Sequence, residues 1–556
     1  MLYCLAAVLR DIRPAAPITL GAIARLLVVG FLLTALVTYP TLPGLTTHGR
    51  FDTGDGRFSI WNVGWIGHAL TTAPADLLDA NIFHPHRGAL AYSEPNLVAG
   101  LLGLPAFLAT GGNAVAALNS AVFGGLLLAL VSMWLLVRRL TGSEPGAYCA
   151  AIGFAFCPYV QAHTAHIQLV LVFGFPLVLL ALLRLRARPS VWSGAGLGAA
   201  LAVAALSSGY YGFFAALMLA VVVVGWVTTD RRYWLALGAA GVVCLSLVLP
   251  VLVPYRAARV AVDAGAGVAL DEAHTYAATV GTYLSSPAHA HQWLPAAAES
   301  VFPGFATLML AAVGIWASVR RTPEDRRTVA VLGVVVVLAA WASFGPAAGL
   351  YGWLASIVPL MDMLRAPVRL GIVVTFALAV IAGFGARHLL AGRPLLAVAV
   401  IGLMTMELLA VPWPLRPEPP VPGAYRTLAG LARGPLVEFP FPYRRADFHE
   451  HTRAMVGSIH HWQPLVNGYS DVTPPGFEAL ALELSAFPDP VSFEVMRKLG
   501  VRYVLWHLDR YNDEARVRLL ARFAPYQDRL RTLADDGRVR LVEIVDGPAP
   551  PGMGAR

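Results

Sequence analysis

The chain has 556 residues, 57% hydrophobic and only 13% charged, with a net charge of +8 and a mean hydropathy of +0.63. A soluble globular protein has no use for so much apolar surface, and several apolar runs reach the ~20 residues that a bilayer span requires. The positive charge is almost entirely arginine, with Lys498 the single lysine, and it clusters in short loops between apolar runs; this reads as a topology signal, not a nucleic-acid surface.

In chain order the apolar segments fall near 22–42, 97–112, 114–137, 146–160, 168–185, 192–208, 211–228, 234–254, 303–319, 328–345, 367–386 and 394–412. Arg10 and Arg13 precede the first, and no small-residue cleavage site is evident, so it reads as a retained anchor. Basic loops sit at Arg138-Arg139, Arg184 to Arg188, Arg231-Arg232, Arg320-Arg321 with Arg326-Arg327, and Arg387 to Arg393. Keeping them cytoplasmic makes every second loop after Arg138 basic, but from a cytoplasmic N-terminus one earlier segment must not cross. The segment 97–112 is short and interrupted by Gly100, Gly103 and Pro105; we expect it to be re-entrant or external, leaving about eleven spans.

The expected fold class is an α-helical polytopic membrane protein with a small extracytoplasmic α/β domain at its C-terminus. The membrane domain covers 1–412, with external loops at 43–96 and 255–302, and the C-terminal domain covers 413–556. A Pro-rich stretch, Pro412 to Pro422, joins them and should run extended. Beyond it, Pro435–Pro440, Val501–Trp506 and Val539–Val545 read as strands, and Phe493–Leu499 and Arg516–Ala534 as helices, the first ending at Gly500. Cys4, Cys149, Cys157 and Cys244 lie in or beside apolar segments without metal-like spacing, which reads as core packing.

The unusual polar residues fall on the external side. In Phe51-Asp-Thr-Gly-Asp-Gly-Arg-Phe-Ser-Ile-Trp-Asn-Val-Gly-Trp65, Asp52 and Asp55 stand three apart before a helical pattern. Phe58, Trp61, Trp65, Ile66 and Leu70 would form one apolar face along the membrane surface, with Trp61 and Trp65 in the headgroup layer. Asp55 then serves as a helix N-cap, as a general base at a cavity mouth, or as both, with Asp52 a second acid. Glu94, before Pro95, should point into the external cavity, and His84 and His86 read as loop histidines. His163 and His166, three apart with Gln168 nearby, would share a helical face and bind a phosphate, a sugar hydroxyl or a metal. Arg365 and Arg369, preceded by Asp362, lie four apart at the external start of a span, where guanidinium forks suit a lipid phosphate. Arg256 and Arg259 form a weaker pair of the same kind. No Walker loop, dinucleotide fingerprint, zincin helix or nucleophile elbow occurs.

These features together resemble the GT-C class of integral-membrane glycosyltransferases. The likeness rests on the N-terminal span, the acidic first external loop with its juxtamembrane helix (Asp52, Asp55, Trp61, Trp65), the many spans, and the soluble C-terminal domain. Tyr92-Ser-Glu-Pro95 and Pro158-Tyr159…His163…His166…Gln168 look like motifs of uncharacterised bacterial members. Leu436-Val-Glu-Phe-Pro440…Val466-Asn-Gly-Tyr469…Gly500-Val-Arg-Tyr-Val504 is similar to the tail of the YfhO-like branch.

The resemblance implies a bacterial inner-membrane enzyme with a periplasmic tail and no cofactor. It would take a polyprenyl-phosphate sugar donor and a lipid, glycan or protein acceptor. By position in the first external loop, Asp55 would be the catalytic base, with Asp52 and then Glu94 as alternates. His163, His166, Gln168, Arg256, Arg259, Arg365, Arg369 and Trp61 would contact substrate. The tryptophan-tryptophan-aspartate signature of oligosaccharyltransferases is missing, so neither their metal nor their peptide acceptor is implied. A transporter or flippase of a lipid-linked saccharide, or a non-catalytic GT-C scaffold, would show many of the same residues.

Overall fold

The computed structural model describes residues 18–262, 266–358, 361 and 364–545, without side chains at 266–270. Cys4, Arg10, Arg13 and Asp362 lie outside the described residues.

Each apolar segment expected to cross is built around a helix. Five of these helices are long and apolar enough to span a bilayer by themselves: Leu20–Val37, Ala114–Thr141, Arg231–Ala261, Pro323–Ser343 and the one ending at Leu390. They differ in what surrounds them. Arg231–Ala261 exposes Leu235, Val242, Leu245, Leu249 and Val253, an apolar face with no protein against it, as a lipid-facing helix requires. Gly371–Leu390 is instead buried on nearly every side at the centre of the bundle.

Two expected spans are interrupted. Glu144–Ala155 stops short, and the chain continues through the single turns Pro158–Ala162 and Ile167–Val170 before Gly174–Ala187 begins. Pro158 sets the break, and almost the whole segment is buried in protein, where irregular backbone at depth is tolerated. His163 and His166 therefore do not share a helix face as their spacing predicted. The segment 97–112 is the helix Leu97–Ala109, 13 residues long, or ~20 Å against the ~30 Å of a bilayer core. Its Gly103 packs so closely that a Cβ there would stand 2.5 Å from the Ala117 carbonyl oxygen, which fixes this short helix against Ala114–Thr141.

The basic loops meet at one end of the bundle. Arg387 holds Asp325 Oδ2 at 2.5 Å and reaches the Thr141 carbonyl at 3.5 Å. Arg327 donates to the Gly225 carbonyl at 2.8 Å, and Arg186 to that of Trp226 at 3.2 Å. The acidic and histidine-bearing loops gather at the other end. The protein is a multi-pass membrane protein.

The C-terminal residues form a four-stranded sheet in the order β3-β4-β6-β5: Leu436–Phe439, Tyr503–His507, Val539–Ile544 and Leu530–Asp535. The β3–β4 pair is parallel and the other two pairs antiparallel. The helix expected over Arg516–Ala534 stops at Phe523, because a 3₁₀ turn containing Pro525 redirects the chain into β5.

The Pro-rich stretch runs extended but is pinned to the loop after Leu20–Val37. Arg416–Pro417 (β2) pairs with His48–Gly49 (β1), Trp413 N–H donates to the Tyr39 carbonyl at 2.8 Å, and Glu418 N–H to that of Thr47 at 2.8 Å. More such bonds follow: Phe83 N–H to Asn467 O at 3.2 Å, His84 N–H to Leu465 O at 2.9 Å, and Leu465 N–H to Asn81 O at 2.8 Å. The C-terminal domain thus covers the helix Gly54–Thr72, and the membrane-surface expectation for that helix is overturned. Trp61 is 1% exposed and donates to Asn81 Oδ1 at 3.0 Å; Trp65 packs edge-on against Trp462 and donates to the Leu77 carbonyl at 2.9 Å.

Candidate active site

Asp55 sits in the first turn of Gly54–Thr72, but it is not the cap. Thr53 caps the helix, its Oγ1 accepting from Gly56 N–H at 3.0 Å. The Asp55 carboxylate is therefore free to face outward, and its Oδ2 lies 3.2 Å from Nε2 of His166. That hydrogen bond, aided by the His166, Arg365 and Arg369 charges, overcomes burial and holds the Asp55 carboxyl below the usual aspartate range.

Around this pair lies a cavity of about 90 Å³. Glu94 enters from the first loop, with Oε1 accepting from Gly209 N–H at 3.0 Å and Oε2 buried without a hydrogen-bond partner. Burial, reinforced by Asp471, pushes the Glu94 carboxyl up to about 7, against the pull of Arg369, Gly209 N–H and Arg365.

Arg365 and Arg369 enter from the turn before Gly371–Leu390, and Tyr210 organises both. Its hydroxyl accepts from Arg365 N–H at 3.1 Å, and its ring lies 4.5 Å from the Arg369 guanidinium carbon. Arg365 NH1 and NH2 each lie 3.7 Å from a carboxylate, Glu272 and Asp471 respectively. Arg369 has no carboxylate within ion-pair distance among the described residues, and its Nε is buried with no partner. Gln168, Arg259 and Tyr255 also line the cavity, Arg259 donating to the Tyr255 hydroxyl at 3.2 Å. Tyr469, Ser470 and Asp471 of the C-terminal domain line it as well.

The cavity thus joins Asp55, Glu94, His166, Gln168, Arg259, Arg365 and Arg369 of the residues expected from sequence. Four others lie elsewhere. Asp52 pairs with Arg50 at 2.9 Å, and Arg50 also donates to Thr164. His163 donates from Nδ1 to the Tyr159 carbonyl at 2.7 Å and meets Glu299 through Nε2 at 2.9 Å. Arg256 is outside the lining, as is the buried Trp61.

The sequence reading missed Asp471, Tyr469, Tyr210, Glu272 and Glu299. Asn-Gly-Tyr-Ser-Asp471 carries only a turn signal, and nothing in its spacing points to a cavity formed by residues near 55 and 365. Among the described residues no three His, Cys, Asp or Glu side chains converge.

No family model matches the sequence, and no curated protein matches it as a relative. Solved structures do resemble it. The mycobacterial arabinofuranosyltransferase AftD superposes with a TM-score of 0.54 at 16% identity, over 94% of this chain and 41% of its own. The Archaeoglobus fulgidus oligosaccharyltransferase in complex with Zn and sulfate gives 0.50 at 13% identity, over 92% of this chain and 72% of its own. Both are GT-C glycosyltransferases. The chain has the GT-C fold. It spans less than half the length of AftD, so the likeness covers the fold and not that whole protein. In this fold the loop after Leu20–Val37, the segment before Gly371–Leu390 and residues 469–471 converge on the cavity around Asp55.

Proposed function

We propose that the protein transfers a sugar from a polyprenyl-phosphate donor to an acceptor hydroxyl, with inversion, in the bacterial inner membrane and on its periplasmic side. The observation that carries this reading is Arg369: a guanidinium with a buried, unpartnered Nε and no carboxylate within ion-pair distance among the described residues, lining the same cavity as Asp55. Such a cation calls for an anion, and a phosphate at the membrane surface supplies one.

In the proposed step the acceptor oxygen gives its proton to Asp55 and forms a bond to the anomeric carbon. The bond from that carbon to the phosphate oxygen breaks, and polyprenyl phosphate leaves with one additional negative charge. His166 fixes the Asp55 carboxylate at 3.2 Å and keeps it ionised before the transfer. Arg369 and Arg365 stabilise the charge that develops on the departing phosphate. Glu94, its carboxyl pushed up to about 7, offers a hydrogen bond to the donor when protonated. Positioned proton transfer contributes roughly 10²–10⁴-fold, and charge stabilisation in a partly dry cavity adds to it.

The test is transfer of labelled sugar from a panel of polyprenyl-phosphate sugars, in membranes carrying either the intact chain or Asp55→Asn. Transfer by the intact chain that vanishes in the variant, at equal expression, supports the reading. Transfer unaffected by the substitution removes Asp55 as base. Binding of donor with no transfer at all favours a carrier or a scaffold.

A further inference from the structure

Arg365 is where the C-terminal domain reaches the cations of the cavity, and its pairing there is incomplete. The contacts to Asp471 Oδ1 and Glu272 Oε2 are both 3.7 Å, one oxygen to each nitrogen. A guanidinium settled on a permanent carboxylate makes parallel contacts of ~2.7–2.9 Å. Here two carboxylates from different elements, the loop before Val472 and the helix Ala266–Thr275, share one fork and neither grips it. The Asp471 and Arg365 side chains are 32% and 39% exposed, so both stay accessible to a ligand.

The backbone that carries Asp471 is nevertheless fixed on both sides. Asn467 Oδ1 accepts from Glu438 N–H at 2.8 Å, its Nδ2 donates to the Glu438 carbonyl at 2.9 Å, and its own carbonyl accepts from Phe83 N–H at 3.2 Å. After Asp471, Val472 N–H donates to the Tyr92 carbonyl at 3.2 Å. These anchors hold the loop beside Arg365, with the Asp471 side chain 32% exposed. A carboxylate held in this way competes for Arg365 at a high effective concentration.

We propose that Asp471 is a tethered counter-ion that the lipid phosphate displaces from Arg365 and that returns to expel the product. The inference rests on the proposed phosphate site. Charge explains why the device is needed. A polyprenyl-phosphate sugar is a phosphodiester with one negative charge, whereas the polyprenyl phosphate released is a monoester carrying ~1.5–2 charges at neutral pH. Cations arranged for the transition state therefore hold the product more tightly than the donor. A carboxylate waiting beside Arg365 offsets that excess and shortens the product's stay.

The experiment is binding of a polyprenyl monophosphate to the purified full chain, compared with Asp471→Asn, Asp471→Ser and Arg365→Gln, each checked for folding by thermal unfolding. Removing the competing charge should tighten binding about fivefold or more in both Asp471 variants. In an Arg365→Gln background the same substitutions should have no further effect. Steady-state turnover of Asp471→Asn should fall with a burst of the first product, the mark of slow release. Unchanged or weaker binding in a folded Asp471→Asn or Asp471→Ser chain overturns the proposal. Binding by Arg365→Gln as tight as wild type also overturns the proposal, since the phosphate then does not use Arg365, whereas loss of binding in Arg369→Gln as well as Arg365→Gln is what the phosphate site itself requires.

Discussion

Asp55 Oδ2 and His166 Nε2 stand 3.2 Å apart, joining the first turn of Gly54–Thr72 to the buried break between two membrane helices. Because Thr53 caps the helix, the Asp55 carboxylate is not needed as its cap. The His166 imidazole orients it and is the main reason it stays ionised, with the nearby Arg365 and Arg369 guanidinium groups adding to the effect. A carboxylate fixed in this way, ionised and open to a cavity, is arranged to accept a proton.

The first prediction follows from that separation of duties. Asp55→Asn should lower transfer by about 10²-fold or more while leaving the unfolding temperature close to that of wild type, since Thr53 still caps the helix. Thr53→Ala should do the reverse, costing about 1 kcal/mol of stability with most activity retained. Transfer assays and thermal unfolding of both variants check the pair. Equal stability losses would show that Asp55 holds the helix after all.

Glu94 gives the pH dependence. Its folded carboxyl titrates near 7, well above the ordinary 4.5, because it is buried and faces Asp471. The folded chain binds that proton more tightly than the unfolded chain, so this contribution to stability is complete below pH 4.5 and is lost as pH rises through 7. Glu94→Gln should therefore unfold at a higher temperature than wild type in alkaline buffer, with the difference closing at acidic pH. It should also remove an activity transition near pH 7. Parallel wild-type and variant curves would rule out this role.

Arg369 should tolerate no substitution, including the conservative one. Its guanidinium stacks on the Tyr210 ring at 4.5 Å, a geometry that a lysine ammonium on a flexible stem does not reproduce. Arg369→Lys and Arg369→Gln should both weaken binding of a polyprenyl phosphate by about tenfold or more, and Tyr210→Leu should do so to a smaller extent. Isothermal binding in detergent distinguishes these ranks, and full binding by Arg369→Lys would reduce the site to a simple point charge.

The C-terminal domain is expected to depend on the membrane domain. Its contacts with residues 48–92 include the β1–β2 pair, the Leu465–Asn81 bond and the reach of Asn81 Nδ2 to Ser458 Oγ at 3.1 Å. Residues 413–545 expressed alone should show poorly protected amides around 463–472. Asn467→Ala in the full chain should lower transfer with the helices intact, by loosening the loop that carries Asp471. Hydrogen exchange on the isolated fragment and circular dichroism of the variant test both statements; a well-protected isolated fragment would contradict the first.

Much of this protein was legible in one dimension, for a physical reason. A bilayer span needs an unbroken apolar run and its flanking arginines stay on one side, so most of the helices, their order and the shared basic end follow from the pattern of apolar and basic residues. Strands such as Leu436–Phe439 and a helix stop such as Gly500, at φ 65°, are equally local signals. Several acids, arginines and histidines could be chosen because an ionisable group in so apolar a chain needs a purpose.

What needed the tertiary structure was which of them meet. Asp52 and Asp55 look alike in sequence, yet Arg50 engages one and the cavity receives the other. His163 and His166 look like a pair, yet a break in the helix turns one to Glu299 and the other to Asp55. Trp61 and Trp65 read as interface anchors until the C-terminal domain buries them. Asp471 gave no sign at all, because the contact that brings it to Arg365 is made by a domain folding back over a distant loop. Hydrophobic pattern is a local property and fixes the helices; the partner of a charge depends on long-range packing, and only the folded chain decides it.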